Sequence, residues 1–367
     1  SAANFGRLMA VFLWIYGLMS PISGIIADNL SRKKLIVGSL LVWSSVTYFM
    51  GLATTYDQVF WLRALMGLSE ALYLPAGLSL IADYHTGGSR SLAVGIHMTG
   101  LYLGQAIGGF GATLAAAYSW NATFQWFGII GIVYAVVLAV FLKDKKRVAP
   151  EETKVSTPKK PQANVWLSLK SLFMNPAFWV ILLYFAIPSL PGWATKNWLP
   201  TLFAENLGLP MSQAGPMATI TIAFSSFVGV VFGGILSDRW VRKNIKGRIY
   251  TGAIGLSLTI PSLLLLGFGH SIFEVVSAGV LFGIGFGMFD ANNMPILCQF
   301  VSVRQRATAY GVMNMVGVFA GAMITSVLGS WSDDGNLGMG FALLAAVVAV
   351  AVVIQLYSLR PQTDDKE

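Results

Sequence analysis

Charged residues interrupt the apolar runs of this 367-residue chain at a few places, and two of them are spaced for joint chemistry. Arg63 and Glu70 fall inside WLRALMGLSEALYLPAGLSLIADY, residues 61–84, which is long enough to cross a bilayer as a helix. A charge at that depth costs about 2.5–3.5 kcal/mol on insertion scales, so it persists where it faces protein or a water-filled cavity. Seven residues are two helical turns, which puts both side chains on one face. Such a pair either fixes helix packing as a buried ion pair, or sets an anion-binding cation beside a carboxylate that takes up and releases a proton. We adopt the second, with both groups facing a cavity.

Lys196 lies some 20 residues into its apolar run, about 30 Å along a helix. That places it near the far mouth of the span, either snorkelling to the interface or pairing with an incoming anion. Asp290 stands in GIGFGMFDANNMP, where Asn292, Asn293 and Pro295 also break the apolar pattern. Broken polar helices line cavities in membrane proteins, so Asp290 is a second proton-exchanging candidate and Asn293 a ligand-binding one. His97, roughly 10 Å inside its span, reads as a hydrogen-bonded packing residue. Arg7 belongs at a helix end among headgroups. Gly100, Gly104 and Gly108, spaced by four, predict a smooth stripe for close helix contact. The single cysteine, Cys298, forms no internal disulfide and is assigned to packing. No Ser/His/Asp set, phosphate-cradling glycine loop or metal-ligand cluster occurs in the sequence, so no enzyme activity, cofactor or metal is expected.

Hydrophobic residues make up 55% of the chain and charged ones 11%, with a mean hydropathy of +0.67, whereas soluble domains carry about 25% charged residues. An all-α integral membrane protein is expected. Apolar spans occupy about 5–27, 34–53, 57–84, 91–117, 120–142, 176–203, 211–237, 248–269, 273–301, 307–331 and 337–359. They divide into an N-terminal bundle (1–142, five spans), a polar linker (143–175), a C-terminal bundle (176–359, six spans) and a tail (360–367). Trp166, Leu167, Leu169 and Leu172 suggest a short interfacial helix at the end of the linker. Alternating the loops across the membrane gathers the basic residues, apart from Arg7, Arg63 and Lys196, onto the side of the linker and the C-terminus, which the positive-inside rule makes cytoplasmic. The net charge of +8 is then membrane topology rather than a nucleic-acid patch.

The chain also repeats itself. Gly24-Ile-Ile-Ala-Asp28 followed by Arg32-Lys33 recurs as Gly234-Ile-Leu-Ser-Asp238 followed by Arg242-Lys243, displaced by 210 residues. Arg90, Ala93 and Gly95 match Arg306, Ala309 and Gly311 at a displacement of 216. Gly24 and Gly234 are expected to let neighbouring helices approach, and Asp28 and Asp238 to pair with the basic loop or with a helix N-terminus.

G-x-x-A-D-x-x-S-R-K-K with a second copy after the linker resembles the signature loop of the major facilitator superfamily, and the resemblance spans nearly the whole chain. It implies two six-helix bundles related by a pseudo-two-fold axis, with Gly24, Asp28, Arg32, Gly234, Asp238 and Arg242 in gating loops. The loop here follows the first span rather than the second, so the superfamily's usual first helix is expected to be missing. Arg63-x6-Glu70 with Pro75-Ala76 resembles the fourth helix of the organic-anion symporters, and Lys196-Asn197-Trp198-Leu199-Pro200-Thr201 the end of their seventh. These likenesses imply Arg63 as the anion-pairing residue and Glu70 as the coupling site, and Tyr73, Tyr102, Gln105, Tyr184, Trp193 and Asn314 fall on spans the superfamily places beside its pathway. The implied activity is proton-coupled symport of a small organic anion such as a sugar acid, by alternating access, in a monomer of a bacterial inner membrane; sodium in place of the proton stays open. Glu70-Ala71-Leu72-Tyr73 with Ile81-Ala82-Asp83 also resembles the spinster-like lipid carriers, which keeps a lipophilic substrate as the alternative. A non-transporting receptor or scaffold is disfavoured by the duplicated loops.

Overall fold

The computed structural model describes residues 1–84, 90–144, 170–301 and 306–362, with the backbone alone described at some positions, among them Gly24, Asp28, Arg90 and Arg306. Most of the expected linker, residues 145–169, lies outside this set, as do Trp166, Leu167 and Leu169 of the expected interfacial helix. Among the described residues there are helices and no strands. In chain order they are α1 (Ala2–Asn29), α2 (Arg32–Met50), α3 (Tyr56–Glu70), α4 (Tyr73–Tyr84), α5 (Arg90–Gly108), α6 (Gly111–Ala117), α7 (Trp120–Phe141), α8 (Pro176–Leu207), α9 (Met211–Val241), α10 (Gly247–Phe268), α11 (Ile272–Asp290), α12 (Asn293–Phe300), α13 (Arg306–Asp333) and α14 (Leu337–Ser358). Every expected span has a counterpart, but three are interrupted, giving the pairs α3/α4, α5/α6 and α11/α12. Among the described residues eight spans are long and apolar enough by themselves to cross a membrane; α2, α3/α4 and α5/α6 are the other three expected spans.

Local chemistry explains the helix ends. Thr55 with Gln58 and Ser271 with Glu274 form capping boxes at the starts of α3 and α11. Asn175 caps α8, whose Pro176 occupies the first turn, where a missing N–H costs nothing. Pro188, Pro191 and Pro200 do not stop α8, which runs for 32 residues until Gly208 adopts φ 64°.

Among α1–α7 and α8–α14 most helices pack within their own group, but α1 packs chiefly against α13 and α5/α6 against α9, and these two seams join the groups. At the end of the molecule bearing Asp57, Glu274 and Asp333, the backbone N–H groups of Ala2 and Ala3 donate to the Asp333 carboxylate at 2.7 and 2.8 Å. A carboxylate on one group thus caps a helix of the other. On the second seam Thr113 Oγ1 donates to the Ser212 carbonyl at 2.6 Å.

Two glycine expectations are corrected. Gly100, Gly104 and Gly108 have nothing within 4 Å, and it is Gly109 that meets α9, where a Cβ would lie 3.1 Å from the Gly215 carbonyl oxygen and 2.9 Å from Thr219 Cβ. Gly109 stands in the turn between α5 and α6, past the end of the helix that carries the stripe, and it is this turn that comes against α9. Gly234 likewise has nothing within 4 Å; its neighbour Gly233 makes the close approach, where a Cβ would lie 2.7 Å from Met288 Cα. Gly109→Val is therefore expected to lower the thermal midpoint of the detergent-solubilised protein, the overpacking costing about 1–3 kcal/mol, while Gly108→Ala leaves it unchanged or raised. Equal effects of the two changes would contradict the seam.

Candidate functional site

α3 and α11 end alike. Glu70 is the last residue of the first and Asp290 of the second, and each is followed by a two-residue turn, Ala71–Leu72 or Ala291–Asn292. The surrounding residues repeat as Gly67-x-x-Glu70-Ala71-x-x-x-Pro75 and Gly287-x-x-Asp290-Ala291-x-x-x-Pro295, displaced by 220. The prolines are the physical cause of the breaks. Lacking an N–H, Pro75 cannot bond the carbonyl of Ala71, nor Pro295 that of Ala291, and each ring crowds the same carbonyl. Both carboxylates therefore sit at interrupted helices, halfway through their spans.

Lys196 is exposed to solvent, although it stands well inside α8 with eleven more helical residues beyond it. This corrects its placement at the far mouth of a span: the helix simply continues past Pro200. Its Nζ lies 4.5 Å from the centre of the Trp193 ring. Lys196 is within electrostatic reach of both Asp290 and Glu70, and Glu70 is within reach of Arg63. Asp290 is likewise exposed, and lines with Lys196 a cavity of about 180 Å³ that also takes in Phe185, Ser189, Trp193, Phe286, Phe289, Tyr310 and Asn314. Solvent thus reaches two opposite charges in the middle of the helical bundle.

The structure brings Tyr102, Tyr184, Asn293 and Asn314 to this place. Tyr184 is buried; its hydroxyl donates to Asn293 Oδ1 at 3.3 Å, and Asn293 Nδ2 donates to Asp290 Oδ1 at 3.0 Å. Tyr102, on α5, is near Asp290 on α11, so the second seam also contributes. Gln105 follows Tyr102 by three residues on the same helical face and is half-buried. Asn314 Nδ2 donates to Ser20 Oγ at 3.2 Å across the α1–α13 seam. Two tyrosines not expected from the sequence join the set: Tyr16 on α1, beside Glu70 and Tyr310, and Tyr310 on α13, beside Asp290.

Other expected residues lie differently. Arg63 and Glu70 make no direct ion pair; the Arg63 Nε donates to the Leu8 carbonyl at 3.2 Å and the guanidinium carbon lies 5.0 Å from the centre of the Phe12 ring. Tyr73 packs edge-on against Trp43 at 5.3 Å, with its centroid 6.0 Å from the His97 ring, so it belongs to the layer of α2, α4 and α5 rather than to the charged set. His97, expected to be hydrogen-bonded, instead leaves its Nε2 buried without a partner.

At the opposite loops, Asp238 Oδ1 accepts from Arg248 Nη1 at 3.2 Å, within the second group of helices. Arg242 caps the end of α9 and is exposed. Arg32 begins α2, whose N-terminus is held by Ser31 and by Asp144: the Ser31 hydroxyl and the Lys33 N–H, the latter at 2.8 Å, both donate to that carboxylate. The surroundings of Gly24 and the side chain of Asp28 lie outside what the structure describes.

A solvent-reached polar site midway along membrane-length helices is what a carrier requires, because the solute must be held halfway across the bilayer. The protein is accordingly a multi-pass membrane transporter by class. The chain belongs to the Major Facilitator Superfamily, whose profile matches residues 1–325 and 245–367. Similar proteins include the 4-hydroxybenzoate transporter PcaK of Pseudomonas putida, 27% identical over 96% of this chain and 84% of that protein. The hexuronate transporter of Escherichia coli K12 is 26% identical over 95% and 83%, and its probable galactarate/D-glucarate transporter GarP is 24% identical over 90% and 80%. Among solved structures, a bacterial homologue of the human lysosomal transporter Spinster, in an inward-facing and occupied conformation, superposes with a TM-score of 0.76 at 18% identity, covering 100% of this chain and 91% of that one. At that identity the likeness concerns the fold alone.

Proposed function

We propose that the protein is a proton-coupled symporter of a small organic anion, working by alternating access. The observation that carries this proposal is a solvent-reached cavity lined by Lys196 and Asp290, with Glu70 within electrostatic reach of Lys196 and Arg63 within reach of Glu70, so that two cations and two carboxylates act on one another. With all four ionised the set is neutral. A bound anion adds one negative charge and a proton on Glu70 or Asp290 removes it, so proton and anion favour each other's binding. Arg63 and Lys196 pair with the anion, and Tyr102, Gln105, Tyr184, Asn293 and Asn314 line its path. The duplicated loops around Asp28 and Asp238 act as gates at the cytoplasmic face, while two bundles, 1–142 and 176–359, rock about the site. The carboxylates named for the relatives, hexuronate, galactarate and 4-hydroxybenzoate, support the anion class and leave its scaffold open.

The test is uptake by proteoliposomes under an inside-alkaline pH gradient, with glucuronate, galactarate, benzoate and a lysophospholipid as solutes. At least one carboxylate is expected to accumulate, and a protonophore to abolish its accumulation. Transport of the lysophospholipid alone, or accumulation that follows sodium and ignores pH, would overturn the proposal.

A further inference from the structure

We infer that the carried anion is a planar aromatic monocarboxylate, its ring held among Phe185, Trp193, Phe286 and Phe289 and its carboxylate on Lys196. The inference rests on the anion-carrier proposal and narrows its substrate. The lining itself points to it. Phe286 stacks on Phe282 with centroids 5.6 Å apart and planes 9° apart, and lies 5.6 Å from Phe289, which is 6.4 Å from Phe185. These separations are those of preferred aromatic pairs, so the wall is an ordered array of ring faces and edges to which one more ring can be added. The cavity of about 180 Å³ has room for it, since an apolar cavity of about 150 Å³ holds benzene.

Two donors of the lining are engaged elsewhere. Ser189 Oγ donates to the Phe185 carbonyl of its own helix at 2.6 Å. The Asn314 amide donates to Ser20. Tyr310, Asp290 and the Asn314 carbonyl are left to meet the hydroxyl groups of a polyhydroxylated acid, and those turned toward the four aromatic rings find no partner, whereas a flat ring asks for none. Lys196 is the cation among the cavity's lining residues, and it is held over Trp193, so a carboxylate on its ammonium brings the attached ring against aromatic surface. A second carboxylate would meet Asp290 instead.

The experiment is calorimetric binding to the purified full chain at neutral pH, using benzoate, cyclohexanecarboxylate and D-glucuronate, with wild type, Phe286→Leu and Lys196→Ala. Benzoate is expected to bind at least about tenfold more tightly than the other two, the size of effect that aromatic contacts confer. Phe286→Leu should weaken benzoate about tenfold and leave glucuronate unchanged, and Lys196→Ala should abolish benzoate binding. The wild-type ranking stands even where a variant fails to fold. Glucuronate binding as tightly as benzoate, or cyclohexanecarboxylate matching it, overturns the aromatic assignment and leaves the anion carrier intact. Benzoate binding unchanged in Lys196→Ala overturns the placement of its carboxylate on that ammonium, and absence of binding by any carboxylate overturns the anion-carrier proposal itself.

Discussion

Glu70→Gln is expected to abolish accumulation of the anion driven by a pH gradient while leaving counterflow exchange in place. Glutamine is close in shape to a protonated carboxyl and keeps a neutral hydrogen-bonding group at the end of α3, so the site remains permanently in the form that favours the anion. For one monoanion moved with one proton, a gradient of one pH unit supplies about 1.4 kcal/mol, a tenfold accumulation. The variant should only equilibrate its substrate, so that the inside and outside concentrations become equal. The same electrostatics fix a sign for pH in the wild type. Deprotonation of the coupling carboxyl places a negative charge beside the anion site, so affinity should fall as pH rises through that titration, and Glu70→Gln should flatten the fall. Isotope counterflow and gradient-driven uptake, measured side by side in proteoliposomes, separate the two activities. Accumulation that persists in Glu70→Gln with unchanged pH dependence would transfer the coupling role to Asp290, which occupies the equivalent helix break.

Lys196→Ala is expected to cost substrate affinity most heavily, by about 2–5 kcal/mol, or at least about thirtyfold in Kd. Two losses combine. The anion loses its partner in the cavity, and Asp290 is left facing the bound carboxylate without the intervening ammonium. Lys196→Arg keeps the charge and should recover part of the affinity, which distinguishes lost charge from lost packing. Arg63→Ala should also lose anion binding, but with a lower thermal midpoint, because the Arg63 side chain additionally holds α1 through Leu8 and Phe12. Direct binding measurements together with melting curves for the three variants decide the matter. Unchanged affinity in Lys196→Ala would mean that the ammonium only rests on Trp193.

Some features of this protein are determined by the order of residues alone. Apolar runs of bilayer length compel helices, because no other element satisfies its backbone hydrogen bonds in lipid without a partner strand, and every such run has its helix. Charges inside those runs are costly enough to mark a cavity, which is how Arg63, Glu70, Lys196 and Asp290 stand out from the linear order of residues. The duplicated Gly-Asp-Arg loops identify two related halves because all their matched positions share one displacement. A third repeat, around Glu70 and Asp290, is harder to read: the acids differ, the residues between the matched positions differ, and its meaning depends on knowing that Pro75 and Pro295 each break a helix.

Tertiary structure decided what single-helix geometry leaves free. Sequence periodicity specifies a face but not its neighbour, so Gly100, Gly104 and Gly108 read as a contact stripe although Gly109 makes the contact, and Gly234 as a close approach although Gly233 makes it. Tyr73 faces Trp43 and not the charged set, for the same reason. Tyr16 and Tyr310 join the site only because α1 and α13 lie side by side, a pairing between segments far apart in the chain that no local pattern encodes. The depth of a charge in a membrane follows from hydrophobicity along the chain, but which charges face one another follows from how separate helices pack, and packing is set by shape complementarity across seams that the linear sequence does not display.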